Sequence, residues 1–132
     1  WHTISCDLSS TELQEALASV DPKPTRSAFR SLPRDVLLIS DMLLVDSSLV
    51  GLNVIANIDS RDSRAMFIEV FLVFEQTERH DLQATLKMGG QEWTTAIDDG
   101  HAVFPSFPID SVIDLSSGKV QTDLHLSISR SQ

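Results

Sequence analysis

The chain has 132 residues, 42% of them hydrophobic, and a formal net charge of −9. That length suits one domain around a single core, and the apolar content is too high for a disordered segment. The charge repels phosphate backbones and anionic lipid headgroups, which argues against direct nucleic-acid or membrane binding and for a basic protein partner.

The single cysteine, Cys6, has no second thiol in the chain to pair with, so no internal disulfide framework exists. This favours a reducing, cytoplasmic location. The chain begins at Trp1, and no basic region followed by an apolar run is visible. We therefore expect no signal peptide and a fragment of a longer polypeptide.

Residues 8–20, LSSTELQEALASV, read as a short amphipathic helix. Ser9 and Glu12 have the spacing of a capping box, and Leu8 and Leu13 that of a hydrophobic staple. Leu13, Ala16, Leu17 and Val20 then follow the i, i+3, i+4, i+7 rule. So few turns do not stand alone in water, and the stripe needs a surface to cover.

Residues 21–35, DPKPTRSAFRSLPRD, hold three of the five prolines and read as an extended connector. Lys23, Arg26, Arg30 and Arg34 stand against Asp21 and Asp35, so the connector is +2 and the rest of the chain −11. The segment is a linker resting on an acidic body, or a partner-docking or protease-accessible stretch. Residues 1–35 form an N-terminal element, and residues 36–132 the main domain.

From residue 36 the period shifts from near 3.6 to 2, with frequent turn signals, as in all-β domains. Strands are readable at 36–45, 49–58, 65–74, 82–88, 91–97, 101–104, 111–115 and 120–129. Gly89–Gly90 and the DDG at 98–100 supply tight hairpin turns. Val120, Thr122, Leu124, Leu126 and Ile128 share one face, which needs a second sheet to cover it. By pattern alone, residues 36–129 resemble an immunoglobulin-like antiparallel β-sandwich of about seven or eight strands. A prealbumin-like sandwich or a small closed barrel has the same pattern.

Catalytic chemistry finds little support. The G-x-S-x-G turn of a nucleophilic hydrolase is absent, and Cys6 and His2 share only a terminal segment. His2, His80, His101 and His125 lack the close spacing of metal ligands, and His125 alternates with Leu124 and Leu126 on the solvent side of its strand. Asp59, Asp62, Asp98 and Asp99 offer oxygens for calcium, but turns use the same residues, and Arg61 and Arg64 oppose a cation. Trp93 is the one strand tryptophan for stacking on a sugar, and core packing explains it equally well. No phosphate loop or dinucleotide fingerprint is present. No enzyme activity, cofactor or metal site is expected.

The stretch AMFIEVFLVFE, residues 65–75, carries the most information. Met66, Ile68, Val70, Leu72 and Phe74 form one apolar face of a strand, and Phe67, Glu69, Phe71, Val73 and Glu75 the other. The second face is too apolar for solvent and too charged for a core. Its cover is either the helix stripe of Leu13, Leu17 and Val20 or a partner protein. Glu69 has no acid, histidine or nucleophile at catalytic spacing. The sequence thus describes a non-enzymatic protein-interaction or regulatory module that binds a basic partner through an acidic surface and this mixed face. The alternatives are a carbohydrate- or calcium-binding accessory domain of an enzyme, or a structural spacer.

Overall fold

The computed structural model describes residues 3–18, 35–45, 48–58, 64–74, 81–114 and 116–130. In chain order these form β1 (Ile4–Leu8), α1 (Ser10–Ala18), β2 (Asp35–Val45), β3 (Ser48–Ile58), β4 (Ala65–Phe74), β5 (Leu82–Met88), β6 (Gln91–Ile97), β7 (His101–Val103), β8 (Phe107–Pro108) and β9 (Leu124–Arg130). One sheet has the order β1-β9-β5-β6. The other has the order β2-β3-β4-β7, with β8 also pairing β4. Every pairing is antiparallel. The protein is all-β, with two antiparallel sheets in a sandwich-like arrangement. No helix among the described residues is long and apolar enough to cross a membrane.

Alternation builds the core. Met66, Ile68, Val70 and Leu72 of β4 are buried, as are Leu82, Ala84, Leu86 and Met88 of β5 and Leu124, Leu126 and Ile128 of β9. The bounds read from the sequence for β5 and β6 match the observed strands, because turn glycines end both runs. Gly89 and Gly90, at φ 61° and 76°, make their hairpin turn. Gly100 is constrained more tightly. Its φ is 73°, and a Cβ there would stand 2.3 Å from the Leu72 carbonyl oxygen, so the turn into β7 requires glycine.

Two segments differ from the sequence reading. In the run expected at 111–115, residues 111–114 do not form a strand: a short 3-10 turn, Ile109–Ser111, is followed by a lone bridge between Ile113 and Val120, and Leu115 lies outside the described residues. Pro108 opens that turn, and the Ser111 hydroxyl donates to the Pro108 carbonyl at 2.6 Å. Proline has no N–H for a ladder, which stops a strand forming here. The last strand starts at Leu124, because residues 120–123 are used as contacts. The Thr122 hydroxyl accepts from Gly89 N–H at 2.9 Å, and Val120 N–H donates to the Gln14 side-chain oxygen at 2.7 Å.

The N-terminal segment is part of the sandwich. β1, which has too few residues to show a period in the sequence, pairs along its length with β9. The capping box forms as its spacing implies: Glu12 N–H donates to Ser9 Oγ at 3.1 Å and Ser9 N–H to Glu12 Oε1 at 3.2 Å. The helix lies against β1 and β2, the edge strands of the two sheets. It buries Leu13 to 1% exposure within the common core. Gln14 also donates to the Gly118 carbonyl at 3.1 Å, and the Asp123 carboxylate accepts from Ser10 N–H at 2.8 Å. Hydrogen bonds from Ser116 hold the Asp114 carboxyl below its usual range and fix the loop that Gln14 grips. Val20 and the connector at 21–34 lie outside the described residues.

This placement has a measurable consequence. Leu13→Ala is expected to cost about 2–5 kcal/mol, the range for a leucine lost from a closed core. Urea unfolding of both chains measures it; a cost below about 0.5 kcal/mol, ordinary for a surface position, would show that α1 does not close the core.

Candidate functional site

Strand pairing places residues directly opposite one another on the same face of a sheet. In the β2-β3-β4-β7 sheet this register builds the outer face row by row. Leu44 stands beside Leu49; Met42 beside Gly51 and Val73; Ser40 beside Asn53, Phe71 and His101. The next row has Leu37, Ile55, Glu69 and Val103, and the last has Asp35, Asn57 and Phe67.

Leu37, Met42, Leu44, Leu49, Val73 and Val103 are the exposed large hydrophobic residues of the described chain, and all six fall on this one face. Leu44 is 69% exposed, Met42 63% and Val73 62%. Single exposed leucines are ordinary, whereas several on one sheet face are a pattern found at interaction surfaces; Leu44, Leu49, Met42 and Val73 share the first two rows, and Leu37 and Val103 stand at the two edges of a later one. β2 takes part through an irregularity. A register shift between Leu37 and Ile39 lets this run show apolar residues on both faces, which hides its sidedness in the sequence.

A polar cluster sits inside the apolar surround. The Asn57 side-chain amide, on a residue only 7% exposed, donates to Glu69 Oε1 at 2.8 Å. His101 Nε2 lies 2.6 Å from Glu69 Oε2. The His101 ring stacks on Phe71 with centroids 4.6 Å apart and planes 15° from parallel. Glu69 therefore has a histidine partner, contrary to the sequence reading, because β7 returns beside β4 and brings His101 opposite Phe71. Thirty-two positions separate the two residues, which no local motif could reveal.

Of the residues singled out on this strand, Phe67, Glu69 and Phe71 are half-buried, Val73 is exposed, and Glu75 lies outside the described residues. The register places Phe67, Glu69, Phe71 and Val73 on one face. The helix takes a different position from the cover envisaged for it. Leu13 is in the core and Leu17 packs at its margin, and α1 rests on β1 and β2. Its stripe fills the gap at the edges of the sheets and is not laid across Phe67, Phe71 and Val73.

The outer face of the β1-β9-β5-β6 sheet is polar by contrast. One row runs Asp7, His125, Lys87, Glu92 and the next Ser5, Ser127, Thr85, Thr94. His125 hydrogen-bonds Asp7, and the Thr85 and Thr94 hydroxyls are 3.0 Å apart. A shallow groove of about 760 Å³ lies at the end of this face, where Asp7, Glu12, Glu92 and Asp123 outnumber Lys87 and His125. Cys6, on β1, is half-buried; burial, then Asp41 and Asp7, push its thiol pKa up, away from nucleophilic reactivity. Trp93 stacks on Phe107 at 5.4 Å beside the core. Among the described residues, no three His, Cys, Asp or Glu side chains converge as a metal site. Asp59 and Asp62 lie outside them.

No family model matches the chain, and no curated protein is significantly similar to it.

The Asn57–Glu69 contact is testable as a double-mutant cycle. Glu69→Ala is expected to cost about 1–3 kcal/mol, because it strips the acceptor from a buried amide. Adding Asn57→Ala should cost clearly less than the sum of the two single changes. Additive urea-unfolding energies would mean that the contact contributes nothing.

Proposed function

We propose that this chain is a non-enzymatic protein-interaction module that docks its partner on the outer face of the β2-β3-β4-β7 sheet. One observation carries the reading: every exposed large hydrophobic residue among those described lies on that face, while the opposite face presents serine, threonine and charged side chains. The face is a sheet surface of side chains set in rows, which suits another protein surface better than a small molecule.

The charge-led part of the proposal belongs elsewhere on the molecule. A basic partner would meet the carboxylates of Asp7, Glu12, Glu92 and Asp123 at the groove on the other sheet. A sugar-binding module would present exposed aromatic rings. Among the described residues the exposed large hydrophobic side chains are aliphatic or methionine, which favours protein docking over carbohydrate. The two antiparallel sheets support a sandwich, the architecture shared by immunoglobulin-like and prealbumin-like domains. The pairing of β1 with β9 and the consecutive β2-β3-β4 run depart from the ABED and CFG sheets of immunoglobulin domains, so we carry only the sandwich forward.

Leu44→Glu is expected to weaken partner capture at least about tenfold, the effect of about 1.4 kcal/mol, while leaving the unfolding midpoint nearly unchanged. Thr94→Glu, with the same charge change on the polar face, should capture as wild type does. Equal capture by all three chains would remove this face from the function.

A further inference from the structure

We infer that the occupant of the apolar face is a second copy of this chain, docked face to face about a two-fold axis. This rests on the reading of that face as a docking surface and goes on to name what docks. Three observations lead to it.

The first is size. Strands about 4.8 Å apart, rising about 3.3 Å per residue, give a four-strand face of this length roughly 600 Å² in projection. A stable protein interface covers about 800 Å² on each partner. The face thus approaches a full interface and is larger than a peptide groove needs. A two-fold arrangement uses the same patch on both copies, so each supplies the apolar surface that the other lacks. Two sheets of the same twist pack naturally with their strands about 30° apart.

The second is charge. The chain carries −9, yet among the carboxylates whose side chains are described the register puts Glu69 within this face and Asp98, opposite His101, at its β7 edge. It puts no described lysine or arginine there. A face built for a basic partner would carry carboxylates around most of its rim. A face built for its own copy has to keep like charge out of the middle of the contact, and Asp7 and Glu92 lie on the outer face of the other sheet.

The third is polar satisfaction. Glu69 accepts from Asn57 and pairs with His101 within one chain, and the His101 ring is stacked on Phe71. The cluster at the centre of the face already has its partners, so an occupant has to bring no counter-charge. An equally apolar, internally satisfied surface is the complement this requires, and the chain has one.

The test is sedimentation equilibrium of the whole chain from about 1 to 500 µM, in low and in high sodium chloride. A reversible step from 14.6 kDa to twice that mass is expected. Its dissociation constant should fall as salt rises, because screening removes repulsion between two acidic bodies. Met42→Glu and Val73→Glu, both at well-exposed positions, should each raise the constant by roughly a hundredfold or more, while Thr94→Glu with the same added charge changes it less than about threefold. A monomer throughout the range overturns the proposal, as does a dimer that weakens with salt or one that Thr94→Glu disrupts equally. If the chain is monomeric but Leu44→Glu still abolishes capture of another protein, the docking face stands and its occupant is a different one. If neither effect is seen, both readings fall.

Discussion

β4 is paired along both edges, by β3 on one side and by β7 and β8 on the other. Its side chains therefore have two directions open to them, and a slip of one residue would exchange the faces. Met66, Ile68, Val70 and Leu72 take the interior and leave Phe67, Glu69, Phe71 and Val73 opposite. Glu69 is then a carboxylate among apolar neighbours, with its side chain 19% exposed. Leaving it unpartnered would be costly, and Asn57 and His101 meet that need from the strands on either side. The apolar outer face is a direct result of how the core is satisfied.

The contrast between the two outer faces decides what the molecule can do. Serine and threonine rows hold water well, and a sheet edged by Asp7, His125, Lys87 and Glu92 needs no cover. The opposite face is different in energy as well as appearance. A leucine or valine side chain taken fully from water gains about 1.5–3 kcal/mol, whereas association costs roughly 4–15 kcal/mol in lost freedom. One exposed side chain achieves nothing against that cost. Six covered together bring the balance into the range of specific binding, which is why their convergence on one face matters more than the exposure of any one of them.

Much of the scaffold was legible in the sequence, and the failures have physical causes. Strands ended by glycine turns, β5 and β6, were bounded correctly, since positive φ leaves a compositional trace. The capping box was likewise local and readable. β1 was missed because its partner, β9, is more than a hundred residues away. The run at 111–115 has the period of a strand, although Pro108 ends the ladder nearby. The candidate site was half legible. Alternation gave Phe67, Glu69, Phe71 and Val73, but His101, Asn57 and the exposed residues of β2 depend on which strands become neighbours. The bulge near Leu37 further removed the period that would have marked β2 as two-sided.

The three methionines allow the most direct test of whether the face is covered. Met42 stands on it at 63% exposure, while Met66 and Met88, each 4% exposed, report on the interior. Thioether oxidation by peroxide follows exposure and can be read residue by residue by mass spectrometry. In dilute solution Met42 should oxidise much faster than Met66 and Met88. As the protein is concentrated, Met42 alone should become protected. A Met42 rate that stays constant over the whole concentration range, with Met66 and Met88 slow throughout, would contradict the account.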